Sequence, residues 1–173
     1  KLIGNTADNN APEDKTGYTG AAGFNTALAE KYKEKKGTAT AETITDTGYV
    51  NEAEKKALYN QNDVVYLPDF KFEDADSAVD FEIKVTYMRL DKQVNVKVNR
   101  FETEVEKVGG NFVYTIKNAE FNASYAKLYT VTLVATDNNG NATMVSYGVR
   151  VNDTEAPVID IVNRTKFSSG VEA

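Results

Sequence analysis

The chain has 173 residues, enough for one ordinary domain together with parts of its neighbours. Its net charge of −6 and pI near 4.8 argue against a nucleic-acid partner, because phosphate binding requires a concentrated basic surface. It contains no Cys, His or Trp, which excludes thiol nucleophiles, imidazole bases and the usual Cys/His zinc sites. No segment approaches the roughly 18 apolar residues of a membrane span, so we expect no membrane insertion.

The N-terminal third begins with a predicted amphipathic helix over residues 21–36. Phe24, Leu28 and Tyr32 recur at a spacing of four and form one narrow apolar stripe. Gly37 follows as a typical residue just beyond a helix C-terminus, because glycine accepts a positive φ. A short helix this rich in Lys and Glu is marginal alone and needs a surface to pack on.

A second helix is predicted from Asn51 to residue 62. Asn51 can cap its N-terminus, and Glu54 at the third helical position can reach back to the backbone of the cap. This helix would carry Leu58 and Tyr59 inward. We expect the apolar residues of both helices to dock on the β-structure that follows or on one another.

From residue 63 onward apolar residues alternate with polar ones, which is the period of half-buried strands. Residues 79–87 alternate most regularly, and Pro68 suits an edge strand or a bulge. Residues 109–111 and 137–141 predict turns, since Asn and Gly accept positive φ. About seven strands result, which indicates an antiparallel β-sandwich. Side chains expected in its core are Phe81, Ile83, Val85, Val131, Leu133 and Tyr147.

Two segments indicate where modules join. Residues 8–12 and 153–157 share the pattern D-x-x-A-P, although a match of three residues also arises by chance. A Pro after polar residues is common between domains, because it is stiff and cannot extend a sheet. We therefore expect a piece of a longer protein. The expected division is the end of a preceding module and a linker (1–12), a helical insertion or subdomain (13–62), the sandwich (63–152), and a linker with the first strand of a following module (153–173).

The last strands and their continuation resemble bacterial Ig-like surface modules. Residues 129–141 read Y-T-V-T-L-V-A-T-D-N-N-G-N, and residues 149–159 read V-R-V-N-D-T-E-A-P-V-I. Such repeats typically read Y-x-V-x-x-x-A-x-D-x-x-G-N, then a last strand, then D-x-x-x-P-x-I. The resemblance to these cadherin-like and HYR-like repeats of cell-surface or secreted proteins covers residues 64–161. It leaves the helical segment outside.

The resemblance implies a mainly β fold, namely an Ig-like antiparallel β-sandwich of about seven strands with a small N-terminal helical insertion or subdomain. Tyr129, two residues before the inward Val131, would form the tyrosine corner of such folds. The implied function is a non-catalytic structural or adhesive module on the bacterial cell surface or in a secreted protein. Its partners would be neighbouring modules and a protein or polysaccharide ligand.

Two alternatives share this fold. One is an accessory ligand- or carbohydrate-binding module of a secreted glycan-processing enzyme. The other is a calcium-rigidified, cadherin-like adhesion repeat. Fold alone does not choose among these roles, because one fold hosts many functions.

Acidic loop residues are the candidate calcium ligands, since calcium takes several oxygens from carboxylates, carbonyls and amides. If successive strands alternate in direction, Asp74, Asp76 and Asp153 fall at one end of the sandwich, and Asp137 and Asn139 fall at the other. The segments around Asp137 and Asp153 also resemble the calcium-linker motifs of cadherins, which are richer in acids. The alternative is that these acids are solvated loop residues without a ligand.

Catalysis by paired carboxylates is the remaining function class to weigh, because such pairs hydrolyse glycosides. Acids occur throughout this chain, and none lies in a recognisable cleft signature. A Gly-rich phosphate loop is also absent from the sequence. We therefore expect no enzymatic activity, and calcium is the one candidate cofactor.

Overall fold

The computed structural model describes residues 10–37, 45–75 and 78–157. Within them the protein is mainly β, with ten strands in two five-stranded sheets and one α-helix. This part of the chain contains no helix with the length and hydrophobicity that crossing a membrane requires. The elements are β1 (Glu13–Asp14), α1 (Gly20–Lys36), β2 (Tyr59–Asn60), β3 (Val64–Tyr66), β4 (Phe70–Asp74), β5 (Asp80–Arg89), β6 (Lys92–Val96), β7 (Val98–Val108), β8 (Asn111–Asn122), β9 (Leu128–Thr136) and β10 (Ala142–Asn152).

The first sheet is built around β8, which pairs with β7 on one side and with β3 and β4 on the other, while β1 lies outside β4. β3 and β4 pair with β8 in the same register, so they form one strand with a break. The N–H of Leu67 still donates to the carbonyl of Ala119 at 2.8 Å, but the next residue, Pro68, has no N–H to donate. Asn118 opposite takes a φ of 54°. Because the register is the same on both sides of Pro68, the strand is interrupted there without the extra residue of a bulge, and the bulge suggested for Pro68 is wrong.

The second sheet has the order β2-β10-β9-β5-β6. All of its pairings are antiparallel except that of β2, which runs parallel to the end of β10. The chain does not form a hairpin around residue 97. β6 lies in the second sheet and β7 in the first, with only Lys97 between them, so the chain passes from one sheet to the other without turning back. The described part has more strands than the seven predicted, because β1 and β2 are two-residue strands and one strand is broken.

One hydrophobic core lies between the sheets. Of the predicted core residues, Ile83, Val85, Val131 and Leu133 are buried, whereas Phe81 and Tyr147 are half-buried and pack against the core. Alternation therefore identified the inward face correctly, since a shift of one residue would have exposed all of these side chains. The largest fully buried side chains are Tyr59, Tyr129, Phe24, Phe70, Phe72 and Phe121.

Helix α1 matches the predicted helix, and Gly37 ends it with a φ of 87° while its N–H donates to the carbonyl of Lys33 at 3.0 Å. The helix packs against β3 of the first sheet and β10 of the second, and so covers the open side between them. The ring of Phe24 stacks on that of Tyr147 with centroids 4.4 Å apart, and Tyr32 meets Tyr59 edge-on at 5.0 Å. The predicted docking of the stripe is confirmed. Two ion pairs accompany it, Lys31 with Asp69 at 3.1 Å and Lys36 with Asp63 at 3.3 Å.

The second predicted helix is wrong. Asn51 does accept two backbone N–H groups from the residues that follow it, as a cap would, but those residues form a turn. Lys55 takes a φ of 54°, and Lys56 then pairs with Asn51 in an isolated antiparallel bridge. Beyond it, the amide of Asn152 binds both the N–H and the carbonyl of Ala57, at 2.7 and 2.8 Å. Contacts with a distant strand therefore replace a helix whose local signal was only its cap.

Tyr129 lies near the start of β9 and is fully buried. Its hydroxyl donates to the carbonyl of Tyr125 at 2.7 Å and accepts the N–H of the same residue at 3.0 Å. Burial raises the pKa of the Tyr129 hydroxyl, although its hydrogen bond with the backbone of Tyr125 acts in the opposite direction. This hydroxyl fixes the connection between the two sheets, from β8 to β9, as a tyrosine corner does.

Candidate functional site

The chain comes into the two-sheet body at one end, which we call the proximal end and define by Glu13, Asp74, Asn111 and Asp137. Glu13 on β1 pairs with Glu73 on β4, whose carboxylate accepts the side-chain N–H of Asn111 at 2.6 Å. The hydroxyl of Thr143, at the start of β10, donates to the carbonyl of residue 12. The first described residues are therefore attached to both sheets at this end.

The chain leaves at the opposite end, the distal end, which we define by Asn60, Lys127 and Asn152. β10 runs the length of the body and is held there by β2, where Asn152 pairs with Asn60. The amide of Asn152 binds the backbone of Ala57 and donates to the side chain of Asn60 at 3.0 Å. The N–H of Val151 donates to the carbonyl of Lys127 at 3.1 Å. The end of β10 is therefore held by hydrogen bonds on both of its sides.

The predicted grouping of the calcium candidates is partly wrong. Asp74 and Asp137 lie at the same proximal end, since β4 leads into β5 and the first residue of β5, Asp80, pairs with Thr136 just before Asp137. Asp153 follows β10 and lies at the distal end, away from Asp74. Asp76 lies outside the described residues.

The error has a simple structural cause. The prediction assumed that all successive strands alternate in direction. β6 and β7 instead run the same way, because β6 is antiparallel to β5 and β7 is antiparallel to β8, itself antiparallel to β4. One reversal fewer moves every later loop to the other end of the body.

Asp137 is buried and forms the turn between β9 and β10. One carboxylate oxygen accepts the N–H groups of Asn139 and Asn141, each at 2.8 Å, and the other accepts the side-chain amide of Asn141 at 2.8 Å. Burial would raise the pKa of Asp137, but the hydrogen bonds from Asn141, Asn139 and Gly140 outweigh it and hold the pKa below its ordinary value of 3.8. Both oxygens of this carboxylate therefore stabilise the turn itself.

Replacing Asp137 by alanine should lower the melting temperature by roughly 3–8 °C, because the backbone and amide donors of the turn lose their acceptor. Asp153→Ala is the matched control, since within the described residues its carboxylate accepts a hydrogen bond only from the N–H of Glu155, at 3.0 Å. The folded-state pKa of Asp137 is lowered, so its contribution is present above pH 3.8 and is lost as the pH falls through the lower value. Thermal melts at neutral and acidic pH measure this. Equal melting temperatures for the two variants would contradict it.

Among the described residues, no group of three or more acidic side chains is arranged to hold a metal ion. Asp74 is buried, and Asn139 lies in the turn formed by Asp137. The calcium site at Asp74, Asp76, Asp137, Asn139 and Asp153 stays a prediction. As the four described residues of this set lie at two ends, they would have to belong to two sites.

A cleft at the distal end has a volume of about 840 Å³. Sequence patterns did not predict it, because its walls come from residues 49–60, 126–128 and 150–154, which only the fold brings together. The first of these segments was predicted to be mainly helical. The charged and aromatic side chains that line the cleft are Tyr49, Glu54, Lys55, Lys56, Lys127, Arg150 and Asp153.

Tyr49 and Arg150 form the most ordered part of this cleft. The guanidinium of Arg150 lies 4.8 Å from the centre of the Tyr49 ring, and the amine of Lys55 lies 5.2 Å from it. Arg150 also donates to the hydroxyl of Tyr49 at 3.4 Å and to the carbonyl of Thr47 at 2.5 Å. The aliphatic part of Arg150 leaves little room beside Gly48, which takes a φ of 80°. These contacts attach the segment before β2 to the end of β10.

Comparisons with protein-family models and with curated proteins gave no match. The features that bear on function are the strand order, the two ends of the body and the distal cleft.

Proposed function

We propose that the protein is a non-catalytic Ig-like module of a bacterial extracellular surface protein, in which it acts as a spacer or an interaction domain. The observation that carries this proposal is that the chain comes in at one end of the two-sheet body and leaves at the other. Modules of this kind join end to end without turning back, so each adds its full length to the protein. Neighbouring modules of the same chain are then its permanent partners.

The strand order supports the Ig-like part of the proposal. In that fold, strands A, B, E and D form one sheet and C, F and G form the other. The first sheet has the matching order β1, the broken strand β3–β4, β8 and β7. The second sheet contains β5, β9 and β10 in the order of strands C, F and G. The hydroxyl of Tyr129 bonds to the backbone just before β9, where that fold has its tyrosine corner. The helix α1 would then be an insertion between the first strand and the rest.

The loading of the terminal strands supports a spacer role. A pull along the long axis acts on β1 at the proximal end and on β10 at the distal end. β10 has nine residue pairs with β9 and runs along the direction of pull, so these hydrogen bonds would be sheared together. Two strands of this length separate only when many hydrogen bonds break at the same time, so the protein resists extension.

The surface location is tested on cells of the organism that encodes the protein. If the module is extracellular, protease added to intact cells should cleave the protein, and an antibody against the module should label them. A cytoplasmic protein serves as the control for lysis. A full-length protein that stays intact until the cells are broken would contradict the proposed location.

The calcium-rigidified alternative makes a separate prediction. Calcium that binds only the native state should raise the melting temperature, by about 5–10 °C when calcium is in large excess over its dissociation constant. Melts in EDTA, in calcium and in magnesium at matched ionic strength measure this, since a chain of charge −6 also gains from screening. A shift no larger in calcium than in magnesium would remove this alternative.

A further inference from the structure

We infer that the distal cleft is a binding site for an acidic oligosaccharide, a chain of sugars that carry carboxylates. This rests on the proposed function as an extracellular interaction domain and names its ligand. The cleft volume of about 840 Å³ is within the range of small-ligand sites. Its walls combine cationic side chains, side-chain amides and one tyrosine.

The charge of the cleft is opposite to that of the chain. The whole protein carries a net charge of −6, yet four cationic side chains line this cleft against two carboxylates. Lys55 and Lys56 pair with Glu52 and Glu54. The other two cations are Lys127 and Arg150, and neither has a carboxylate partner among the described residues. Asp153 is the one carboxylate of the cleft without a cationic partner among the described residues, so the two unpaired cations exceed it and the cleft favours anions.

The key cation is already in place before a ligand arrives. Arg150 is held by the ring and hydroxyl of Tyr49 and by the carbonyl of Thr47, so little freedom is lost on binding. Lys127, in contrast, is exposed and lies just before β9, where its carbonyl accepts the N–H of Val151. Two separate cations without carboxylate partners suit an extended ligand with repeated carboxylates better than a single small anion.

The arrangement of the strands favours a sugar over an acidic peptide. A peptide commonly binds by adding a strand to a free sheet edge. At this cleft the edge of β10 is already covered by β2, where Val151 pairs with Tyr59 and Asn152 pairs with Asn60. What remains is a polar surface of amides and charges, which matches hydroxyl and carboxylate groups.

The test uses the 173-residue chain and a galacturonic acid hexasaccharide, with binding followed by NMR chemical shifts and calorimetry. We expect binding that weakens with salt, shifts at residues of the cleft, and no binding of the neutral maltohexaose. Lys127→Gln should weaken binding about fivefold or more, because it removes one of the two unpaired cations. Lys107→Gln is the matched control, since it removes the same charge at the proximal end, and binding should be unchanged within about twofold.

Arg150→Lys serves as a second variant that keeps the charge but loses the contacts with Tyr49 and Thr47, and it should also weaken binding. Three results would overturn the inference: no binding of the hexasaccharide, an equal loss in the Lys127 and Lys107 variants, or equally tight binding of a hexaglutamate peptide. None of these would affect the spacer role, which is judged by extension and by the distance between the two ends.

Discussion

When the protein is pulled by its two ends, we expect it to lengthen in two separate steps. β1 has two residue pairs with β4, and the residues beside it add a few hydrogen bonds to Lys71 and Thr143, whereas β10 has nine pairs with β9. β1 should therefore detach first, and α1 and the turn segment should follow. This step frees about 50 residues, or roughly 180 Å of extended chain. The remaining sheets should then unfold together at a higher force.

Single-molecule force spectroscopy on the chain, held between two identical marker domains, measures the two steps. A disulfide between Lys15→Cys and Lys71→Cys is the matched control, because the chain has no other cysteine with which these could pair. With the disulfide formed, the first step should disappear, and reduction should restore it. A single step that releases the whole chain in the reduced protein would contradict the expected order.

Phe24→Ala is expected to destabilise the entire fold by about 3–5 kcal/mol, the range for truncating a large core side chain. Phe24 is fully buried, and its ring centroid lies 4.4 Å from that of Tyr147 in one sheet and 6.4 Å from that of Phe70 in the other. It therefore contacts both sheets. Without a pulling force, the helix thus belongs to the same core as the two sheets. Lys33→Ala, on the exposed face of the same helix, should change the stability by less than about 0.5 kcal/mol.

Urea unfolding followed by far-UV circular dichroism and by tyrosine fluorescence checks this. In the Phe24 variant, the unfolding midpoints of both signals should move to the same lower urea concentration, because loss of the helix contact weakens a shared core. If the helix melts early while the tyrosine signal of the sheets keeps its midpoint, the helix is an independent attachment.

Local patterns predicted the elements of this fold that depend on burial alone. The stripe of Phe24, Leu28 and Tyr32 predicted α1, because a surface on one side of a helix requires that spacing. The alternation through Ile83 and Val85 predicted β5, because one face of that strand is buried. The hydrogen bonds of Tyr129 were instead expected from the resemblance to Ig-like modules, which implied a tyrosine corner.

Features set by distant partners could not be read in the same way. The turn after Asn51 carries a good cap signal, but the amide of Asn152 binds Ala57 about a hundred residues away in sequence. The single residue Lys97 between β6 and β7 gives no local sign that the chain changes sheets there. That change reversed the predicted positions of the calcium candidates, and the distal cleft depends on the same long-range arrangement.

The central claim is that β1 and the end of β10 lie at opposite ends of one body, and one distance tests it most directly. Spin labels or fluorophores on Asn10→Cys and Thr154→Cys report it without interference, because the chain has no native cysteine. β10 has 11 residues and spans the body, so the account predicts a single distance of roughly 35–40 Å. The pair Asn10→Cys and Lys107→Cys, both at the proximal end, should give less than about 20 Å. A distance between positions 10 and 154 as short as that of the control pair would contradict the account.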